Sequence, residues 1–173
     1  MEDILHKAAR IRLVVFDVDG VLTDGRLYFG NDGDEYKAFH SRDGHGIKML
    51  QNNGVEIAVI SGRRARSVER RMADLGVRHV YLGIDDKLAA FESLLRELQI
   101  NLEQVAYVGD DIIDLPVMRK VGLAIAVQDA DPFVKQHAHW QTPNAGGYGA
   151  ARDVCELLLA AQGRLDAVRH RFL

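Results

Sequence analysis

The sequence has few of the residues that mark secreted or membrane proteins. Its single cysteine, Cys155, has no partner for an intrachain disulfide and lies in the apolar helical stretch DVCELLLA, where we expect a buried, unreactive thiol. No apolar run approaches a membrane span, and the first residues mix acids with bases unlike a secretory signal. We therefore expect a cytoplasmic protein with no membrane partner.

Neither sign of charge dominates the chain. Its 22 basic and 25 acidic residues are mixed along the sequence and give a net charge of -3, without the basic stripe that a nucleic-acid partner requires. The 47% of hydrophobic and 27% of charged residues are typical of a soluble globular protein. The length of 173 residues predicts one domain, residues 1–173.

Short runs rich in Val and Ile alternate with stretches of helical period. The runs predict strands at residues 11–17, 56–61, 79–82, 105–109 and 123–127, and the stretches between them predict helices at 44–53, 63–76, 87–99, 115–122, 131–137 and 148–162. This alternation predicts an α/β fold, a Rossmann-like parallel sheet with helices on both faces. Ligands of such sheets bind at the carboxyl ends of the strands.

Residues 25–40 interrupt the alternation. Two short aromatic segments flank GNDGD, a sequence typical of a tight hairpin turn, with positive φ available at Gly30, Asn31 or Gly33. We predict a β-hairpin flap at the active edge of the sheet. A two-stranded hairpin is marginal in water, and its apolar side chains are costly to expose, so we expect it to pack against another subunit.

Polar residues follow four of the predicted strands, as DVD, SGR, DDK and GDDIID. Taken alone, each is consistent with ordinary structure: Ser61 with a helix cap, Lys87 with a solvated lysine, and GDD with a turn. Asp17 and Asp19 differ, because residues two apart on a strand lie on one face, where like charges repel. This pair needs a cation.

The strand ends together predict a magnesium and phosphate site. Asp17, Asp19, Asp110, Asp111 and Asp114 offer carboxylates at one edge, beside a hydroxyl, an ammonium and helix N-termini. Hard oxygen ligands suit Mg²⁺, which commonly shares a phosphate oxygen with the protein. Zinc does not fit, since the only cysteine is helical and the histidines show no paired ligand spacing.

The motifs DVDGVLTDG, SGR, Lys87 and GDDIID, in this order and at these spacings, resemble the haloacid dehalogenase-like phosphatase superfamily. The stretches FHSRDGHGIKML, VGDDIIDLPVMRKVGLAIAV and GGYGAARDVCELLLAAQG resemble its branch that dephosphorylates an eight-carbon sugar acid in lipopolysaccharide precursor synthesis. The resemblance covers about residues 10–164. It implies a capless haloacid dehalogenase-like fold, because the chain has no room for a cap domain.

The resemblance implies a role for each aspartate. Asp17 would attack phosphorus and form an aspartyl phosphate, and Asp19 would protonate the leaving alkoxide and later take a proton from water. Mg²⁺ would be held by the carboxylates of Asp17 and Asp110 and by the backbone carbonyl of Asp19. Asp111 and Asp114 would orient metal-bound waters or the lysine, with a plain helix N-terminal role for Asp114 as the alternative.

The resemblance also implies a substrate site for a small phosphorylated sugar acid. The predicted phosphate-binding residues are Ser61, Gly62 and Lys87. The predicted substrate-binding residues are Asp19, His40, Ser41, Arg42, Asp43, Gly44, Lys48, Arg63, Arg71 and Lys87. Arg63 and Arg71 are equally readable as exposed charges of a basic helix. Family members form tetramers whose hairpins pack together, and the apolar hairpin of this chain fits a homotetramer.

Three alternatives to this assignment stay open on the sequence. The first is a capless phosphatase for another sugar-acid phosphate, which would carry the same four motifs. The second is a phospho-accepting receiver domain, against which the order of lysine and acidic pair counts. The third is a non-catalytic interaction domain of the same fold. The tail, residues 164–173, is either frayed or reaches over a neighbouring subunit's site.

Overall fold

The computed structural model describes residues 1–31 and 33–173. Its strands are β1 Leu13–Phe16, β2 Tyr28–Phe29, β3 Glu35–Tyr36, β4 Glu56–Ser61, β5 His79–Leu82, β6 Val105–Gly109, β7 Leu123–Ala126 and β8 Trp140–Gln141. Its helices are α1 Glu2–Ala9, α2 Ser41–Gln51, α3 Arg66–Leu75, α4 Lys87–Leu98, α5 Leu115–Met118, α6 Pro132–His137, α7 Ala150–Ala161 and α8 Leu165–His170, with 3₁₀ turns at Leu102–Gln104 and Ile112–Asp114.

Six of these strands form a parallel sheet in the order β5-β4-β1-β6-β7-β8. The central strand β1 is entirely buried and pairs with β4 on one side and with β6 on the other, so that Val15 lies beside Ala58 and Tyr107. Burial on both faces is why these strands read as uninterrupted apolar runs. The strand order reverses at β1, so the carboxyl ends of β1, β4 and β6 meet there.

The helices pack in two groups, confirming the predicted α/β fold. In one group α2 packs on α7, with α1 and α8 against α7 and α3 against α2; in the other, α5 packs against α4 and α6. The α2–α7 contact is close: a Cβ on Gly46 would lie 3.2 Å from the Cys155 side chain, so a larger residue there would push the two helices slightly apart. Cys155 is fully buried and its burial raises the pKa of its thiol, as expected for an unreactive cysteine. None of the described helices is long and apolar enough to cross a membrane.

The predicted flap is a two-stranded antiparallel hairpin in which Tyr28 pairs with Tyr36 and Phe29 with Glu35. Gly33 adopts the positive φ predicted for the turn; Asp32 of the predicted GNDGD turn lies outside the described residues. Phe29 is 68% exposed, and Leu27, Tyr28 and Tyr36 are exposed as well. This subunit therefore leaves the apolar side chains of the flap uncovered.

Three elements were not predicted from the sequence: α1, β8 and α8. The tail is not frayed, because α8 buries Val168, and Arg169 pairs with Glu156 of α7 at 2.7 Å. Arg164 also donates to the backbone carbonyl of Asn53. The ring of Phe172 meets the ring of His45 edge-on with 5.5 Å between centroids, so the tail lies along its own subunit.

Candidate active site

The carboxyl edge of the sheet carries a cavity of about 250 Å³ beside the switch in strand order. It is lined by Asp17, Asp19, Gly25, Ser61, Gly62, Arg63, Lys87, Asp110, Asp111 and Ile113. Asp17 follows β1, Ser61 ends β4, Asp110 follows β6, and Lys87 begins α4. The parallel topology therefore brings together residues that are far apart in the sequence, as predicted from the strand ends.

Lys87 is the buried cation of this cavity. Lys87 is only 5% exposed, and its Nζ lies 3.0 Å from Asp17 Oδ1 and 2.8 Å from Asp114 Oδ1. Burial lowers the pKa of the ammonium, but the two carboxylates outweigh it and raise the pKa above its ordinary value. The solvated-lysine interpretation of Lys87 is therefore wrong, and a fixed positive charge faces the cavity.

Asp114 is fully buried, and hydrogen bonds occupy both of its oxygens. Oδ1 accepts from Lys87 and from the Tyr107 hydroxyl at 2.7 Å, and Oδ2 accepts from the amides of Asp110 and Asp111 at 3.1 and 3.3 Å. Buried carboxylates need such partners. The carboxylate thus fixes both the lysine and the backbone of the GDD turn, whereas Asp111 itself caps the following turn through Ile112 N at 2.7 Å.

Three carboxylates gather in an acidic group that the single charge of Lys87 compensates only in part. One oxygen each of Asp17, Asp110 and Asp114 lies within 4.8 Å of the others, and Asp110 Oδ1 is buried without a hydrogen-bond partner in the described chain. Burial and then the charge of Asp114 raise the pKa of Asp17 to about 7, although Lys87 opposes the shift. Burial and then Asp17 raise the pKa of Asp110 to about 8. A divalent cation with oxygen ligands fits this group.

Asp19 lies at the outer side of the cavity and is held by the hairpin. Lys37 donates to Asp19 Oδ1 and lies 2.7 Å from Glu35 Oε1, while Arg63 donates to Glu35 Oε2 at 2.8 Å. The Lys37 side chain is only 1% exposed. A row of alternating charges therefore runs from the loop after β1, through the flap, to the loop after β4.

Glycines form the turn that follows β1. Gly20 has a φ of +86°, and a Cβ there would lie 2.0 Å from Asp110 Oδ2, so the turn tolerates no side chain. The buried Thr23 Oγ1 donates to Val18 O and accepts from the amides of Gly20 and Gly25. Behind the turn, a Cβ on Gly146 would lie 1.7 Å from Gly20 O. The GGYG loop thus supports the backbone that carries Asp19.

Ser61, Gly62 and Arg63 line the cavity, as the predicted SGR motif requires. Ser61 is buried, and its Oγ accepts from the Arg63 amide at 3.2 Å within the loop; it does not cap α3, whose N-cap residue is Ala65. The Arg63 side chain is 44% exposed and turns towards Glu35. The loop therefore presents backbone and one guanidinium at the rim.

The remaining predicted substrate residues do not line the cavity of this subunit. His40 caps α2 by accepting from the Arg42 amide at 3.3 Å, and Ser41 and Arg42 form the first turn of that helix. The buried Asp43 accepts from the Arg152 amide at 2.8 Å at the start of α7. Burial raises the pKa of this carboxyl. These contacts are structural within the subunit.

Arg71, Gly44 and Lys48 also lie outside the cavity. The Arg71 side chain lies directly over Gly44: a Cβ on Gly44 would be 2.2 Å from Arg71 Nη2. Lys48 lies in a separate cavity of about 280 Å³ with Glu56, which begins β4 and so marks the amino edge of the sheet. The structure therefore separates Lys48 from the carboxyl edge by the length of the strand.

Sequence reasoning missed four side chains that organise the site: Thr23, Glu35, Lys37 and Tyr107. Thr23 stands inside the quoted DVDGVLTDG motif, so its position was visible although its role was not. Glu35 and Lys37 show only the alternation of a hairpin strand. Tyr107 reads as one more apolar strand residue, and nothing in the sequence connects its hydroxyl to Asp114.

Residues 83–152 match the model of the haloacid dehalogenase-like hydrolases, the class to which this sheet and its acidic edge belong. Over 167 residues the chain is 54% identical to 3-deoxy-D-manno-octulosonate 8-phosphate phosphatase KdsC of Escherichia coli strain K12, covering 96% of this chain and 89% of that protein. The chain belongs to the 3-deoxy-D-manno-octulosonate 8-phosphate phosphatase family. The resemblance found in the motifs is confirmed, and the receiver domain is excluded.

Solved structures agree with this family. The Moraxella catarrhalis 3-deoxy-D-manno-octulosonate 8-phosphate phosphatase, in complex with magnesium ion, phosphate ion and KDO, matches with a TM-score of 0.98 at 40% identity, covering 100% of this chain and 99% of that one. The cobalt-bound deoxy-D-mannose-octulosonate 8-phosphate phosphatase of Haemophilus influenzae matches with a TM-score of 0.90 at 42% identity, covering 93% and 94%. The capless sheet is thus the family fold.

Proposed function

We propose that this chain hydrolyses 3-deoxy-D-manno-octulosonate 8-phosphate to the free sugar acid and phosphate, a step in lipopolysaccharide precursor synthesis. The observation that carries the proposal is the cavity in which Asp17, Asp19, Asp110 and Lys87 converge in a member of this family. The substrate is proposed from the relatives, which are described as 3-deoxy-D-manno-octulosonate 8-phosphate phosphatases. The intact site argues against a non-catalytic interaction domain.

The cation that fits this acidic group is Mg²⁺, which the carboxylates of Asp17 and Asp110 and the backbone carbonyl of Asp19 would hold. When bound, it neutralises phosphoryl oxygens so that an anionic nucleophile can approach. The orphaned oxygen of Asp110 and the raised pKa values of Asp17 and Asp110 support this assignment. Asp114 is already saturated by hydrogen bonds, so its role is to position Lys87.

The chemistry is a double displacement on phosphorus. A carboxylate oxygen of Asp17 attacks, the bond from phosphorus to the sugar oxygen breaks, and Asp19 gives its proton to that oxygen. Asp19 then takes a proton from water, whose oxygen attacks phosphorus and displaces the Asp17 carboxylate as phosphate leaves. Lys87, Ser61 and the Gly62 amide hold the phosphoryl oxygens during both steps.

The substrate's sugar part needs contacts that this cavity alone does not offer. We assign these to Arg63 at the rim and, from the predicted set on α2 and α3, to His40, Ser41, Arg42, Lys48 and Arg71. Asp43 and Gly44 are buried at the start of α2 and have a structural role there. Since the set lies outside the cavity of its own subunit, it would act on the site of a neighbour. The exposed apolar side chains of the hairpin support a homotetramer in which flaps pack together.

We also assign the enzyme to the cytoplasm, in keeping with its single, buried, reduced cysteine. Fractionation of cells that produce the protein tests this location. Recovery of the protein from a membrane or secreted fraction would contradict it.

The experiment that tests the function is a panel of sugar phosphates incubated with the protein and Mg²⁺. We expect the eight-carbon sugar acid phosphate to be dephosphorylated with the highest kcat/KM, and Asp17→Asn to lose all turnover. Another sugar-acid phosphate as the preferred substrate would replace the proposed one. Turnover that survives in Asp17→Asn would refute the mechanism.

A further inference from the structure

The hairpin places a buried ammonium against Asp19. Lys37 hydrogen-bonds Asp19 Oδ1 and pairs with Glu35 Oε1 at 2.7 Å, and its side chain is 1% exposed. A lysine normally keeps its charged end in water, and fixing and desolvating it is costly. The two carboxylates offset this cost only when the ammonium stays between them.

Glu35 is itself held from a second direction. Its Oε2 accepts from Arg63 Nη2 at 2.8 Å, and the pKa of the Glu35 carboxyl is lowered by its bonds to Arg63 and Lys37. Because Arg63 belongs to the loop after β4, the Glu35 carboxylate is anchored to the sheet and not only to the flap. The position of the Lys37 ammonium is therefore fixed by Glu35, which Arg63 holds in turn.

This arrangement leaves the two oxygens of Asp19 in different environments. Oδ1 is occupied by Lys37, whereas Oδ2 is buried without a hydrogen-bond partner in the described chain. Asp19 also lines the cavity that holds Asp17 and Lys87. An unpartnered buried oxygen is costly, so a proton-bearing or polar group that reaches Asp19 Oδ2 when the substrate binds would be stabilised there.

We infer that Lys37, braced by Glu35, is a positioning residue that holds Asp19 by Oδ1 so that Oδ2 meets the leaving oxygen of the substrate. The inference rests on the proposed function for the identity of the reaction. When the bond from phosphorus to the leaving oxygen breaks, the proton on Asp19 Oδ2 passes to that oxygen and an alcohol departs. Lys37 touches neither phosphorus nor the leaving group.

A leaving group that needs no proton makes this role measurable. An alkoxide is a poor leaving group and depends on the acid, whereas a nitrophenolate departs without one. The first turnover of an alkyl phosphate should therefore depend on the placement of Asp19, and that of p-nitrophenyl phosphate should not. A merely structural role of Lys37 would affect both substrates alike.

The experiment compares Lys37→Met, Lys37→Arg and wild type in single-turnover rates with glycerol phosphate and with p-nitrophenyl phosphate, at saturating Mg²⁺. We expect Lys37→Met to slow the alkyl substrate about 10- to 100-fold, a part of the 10²–10⁴-fold that a general acid supplies. The aryl substrate should slow no more than about 3-fold. Lys37→Arg, which keeps the cation, should restore most of the alkyl rate.

Lys120→Met is the matched control, because Lys120 pairs with Glu92 at 2.7 Å on the surface and is 44% exposed. It should leave both rates unchanged. Equal losses on both substrates, or no loss on either, would overturn the inference. If Lys37→Met does not fold, Lys37→Gln, which also removes the charge, takes its place: unequal losses on the two substrates support the inference, and equal losses overturn it.

A failure of the proposed function can be distinguished from a failure of the inference about Lys37. A wild-type enzyme that turns over glycerol phosphate and p-nitrophenyl phosphate, but not the eight-carbon sugar acid phosphate, refutes the substrate assignment. The ratio of alkyl to aryl rates in Lys37→Met still decides the role of Lys37 in that case.

Discussion

Lys87 and Asp114 form a buried ion pair, 2.8 Å from ammonium to carboxylate, in which the lysine is 5% exposed and the aspartate not at all. The pair joins the start of α4 to the turn after β6, and Asp17 completes it at 3.0 Å. Lys87 therefore connects the end of β1, which carries the nucleophile, with the turn after β6 and with α4, which follows β5.

Removing the cation of this pair should destabilise the fold. Lys87→Met leaves Asp114 and Asp17 buried without their counterion, and we expect a loss of about 3–5 kcal/mol in the free energy of unfolding. Lys120→Met, which breaks an exposed pair, should cost at most about 1 kcal/mol. Denaturant titration of both variants at neutral pH without Mg²⁺ measures the difference. Equal costs would mean that the Lys87 pair contributes no more than a surface pair.

The acidic cluster should make the stability of the Mg²⁺-free protein fall as pH rises. Asp17 and Asp110 have pKa values of about 7 and 8 in the native state, against an ordinary value of 3.8. Between pH 3.8 and the raised pKa of each group, the native state binds more protons than the unfolded state. Each pH unit in this range therefore lowers the free energy of unfolding by up to about 1.4 kcal/mol per group. Above about pH 8 the loss is complete.

Unfolding free energies at pH 5 and pH 8.5, with EDTA and with Mg²⁺, test this dependence. Asp110→Asn should show a shallower decline than wild type, because one of the two raised groups is gone. Mg²⁺ should stabilise the wild type mainly at the higher pH, by about 2.7 kcal/mol at a hundredfold excess over its Kd. A decline of the same slope in Asp110→Asn and wild type would contradict the assignment of the shift to Asp110.

The GGYG loop, residues 146–149, contacts the turn after β1 so closely that a side chain at Gly146 should clash with that turn. Gly146→Ala would bring a methyl group to 1.7 Å from Gly20 O, so the turn carrying Asp19 must shift. We expect kcat to fall at least about tenfold, since misplacement of about 1 Å in an active site costs that much or more. Gly163→Ala is the control, because its Cβ meets open space and only its φ of +68° is strained.

Steady-state kinetics and thermal unfolding of these two glycine variants separate the effects. Gly163→Ala should lose only about 1–2 kcal/mol of stability and keep its kcat. Unchanged kcat in Gly146→Ala would show that the loop does not support the catalytic turn.

The exposed hairpin predicts that substrate binding depends on the association of subunits. Phe29→Asp puts a charge on a side chain that is 68% exposed in the single subunit. If flaps pack together as proposed, it should dissociate the proposed homotetramer and raise KM, because the proposed contacts from the neighbour would leave the site. Light scattering coupled to size exclusion reports the mass, and substrate titration reports KM. Phe133→Asp, also exposed but on α6, should change neither. A wild type that is already monomeric would sink the prediction.

Much of the fold followed from the sequence. The strands at 56–61, 79–82 and 105–109 were predicted with their observed bounds. For β4 and β6 the reason is burial on both faces, which produces uninterrupted apolar runs, whereas the edge strand β5 is mostly half-buried. The two-residue strand β8 was not predicted, since so short a segment carries no periodicity to detect, and the terminal helices α1 and α8 were missed as well. The hairpin was found through its turn residues and not through its strands.

For the site, the sequence determined which groups stand at the strand ends, because topology alone brings the ends of parallel strands to one edge. Asp17, Ser61, Lys87 and Asp110 could be predicted for this reason. Only the tertiary structure decided what each side chain touches: that Asp114 is saturated, that Lys48 lies at the amino edge, and that Lys37 reaches Asp19. Such pairings depend on how loops close over the sheet, and side-chain spacing along the chain does not encode that distance.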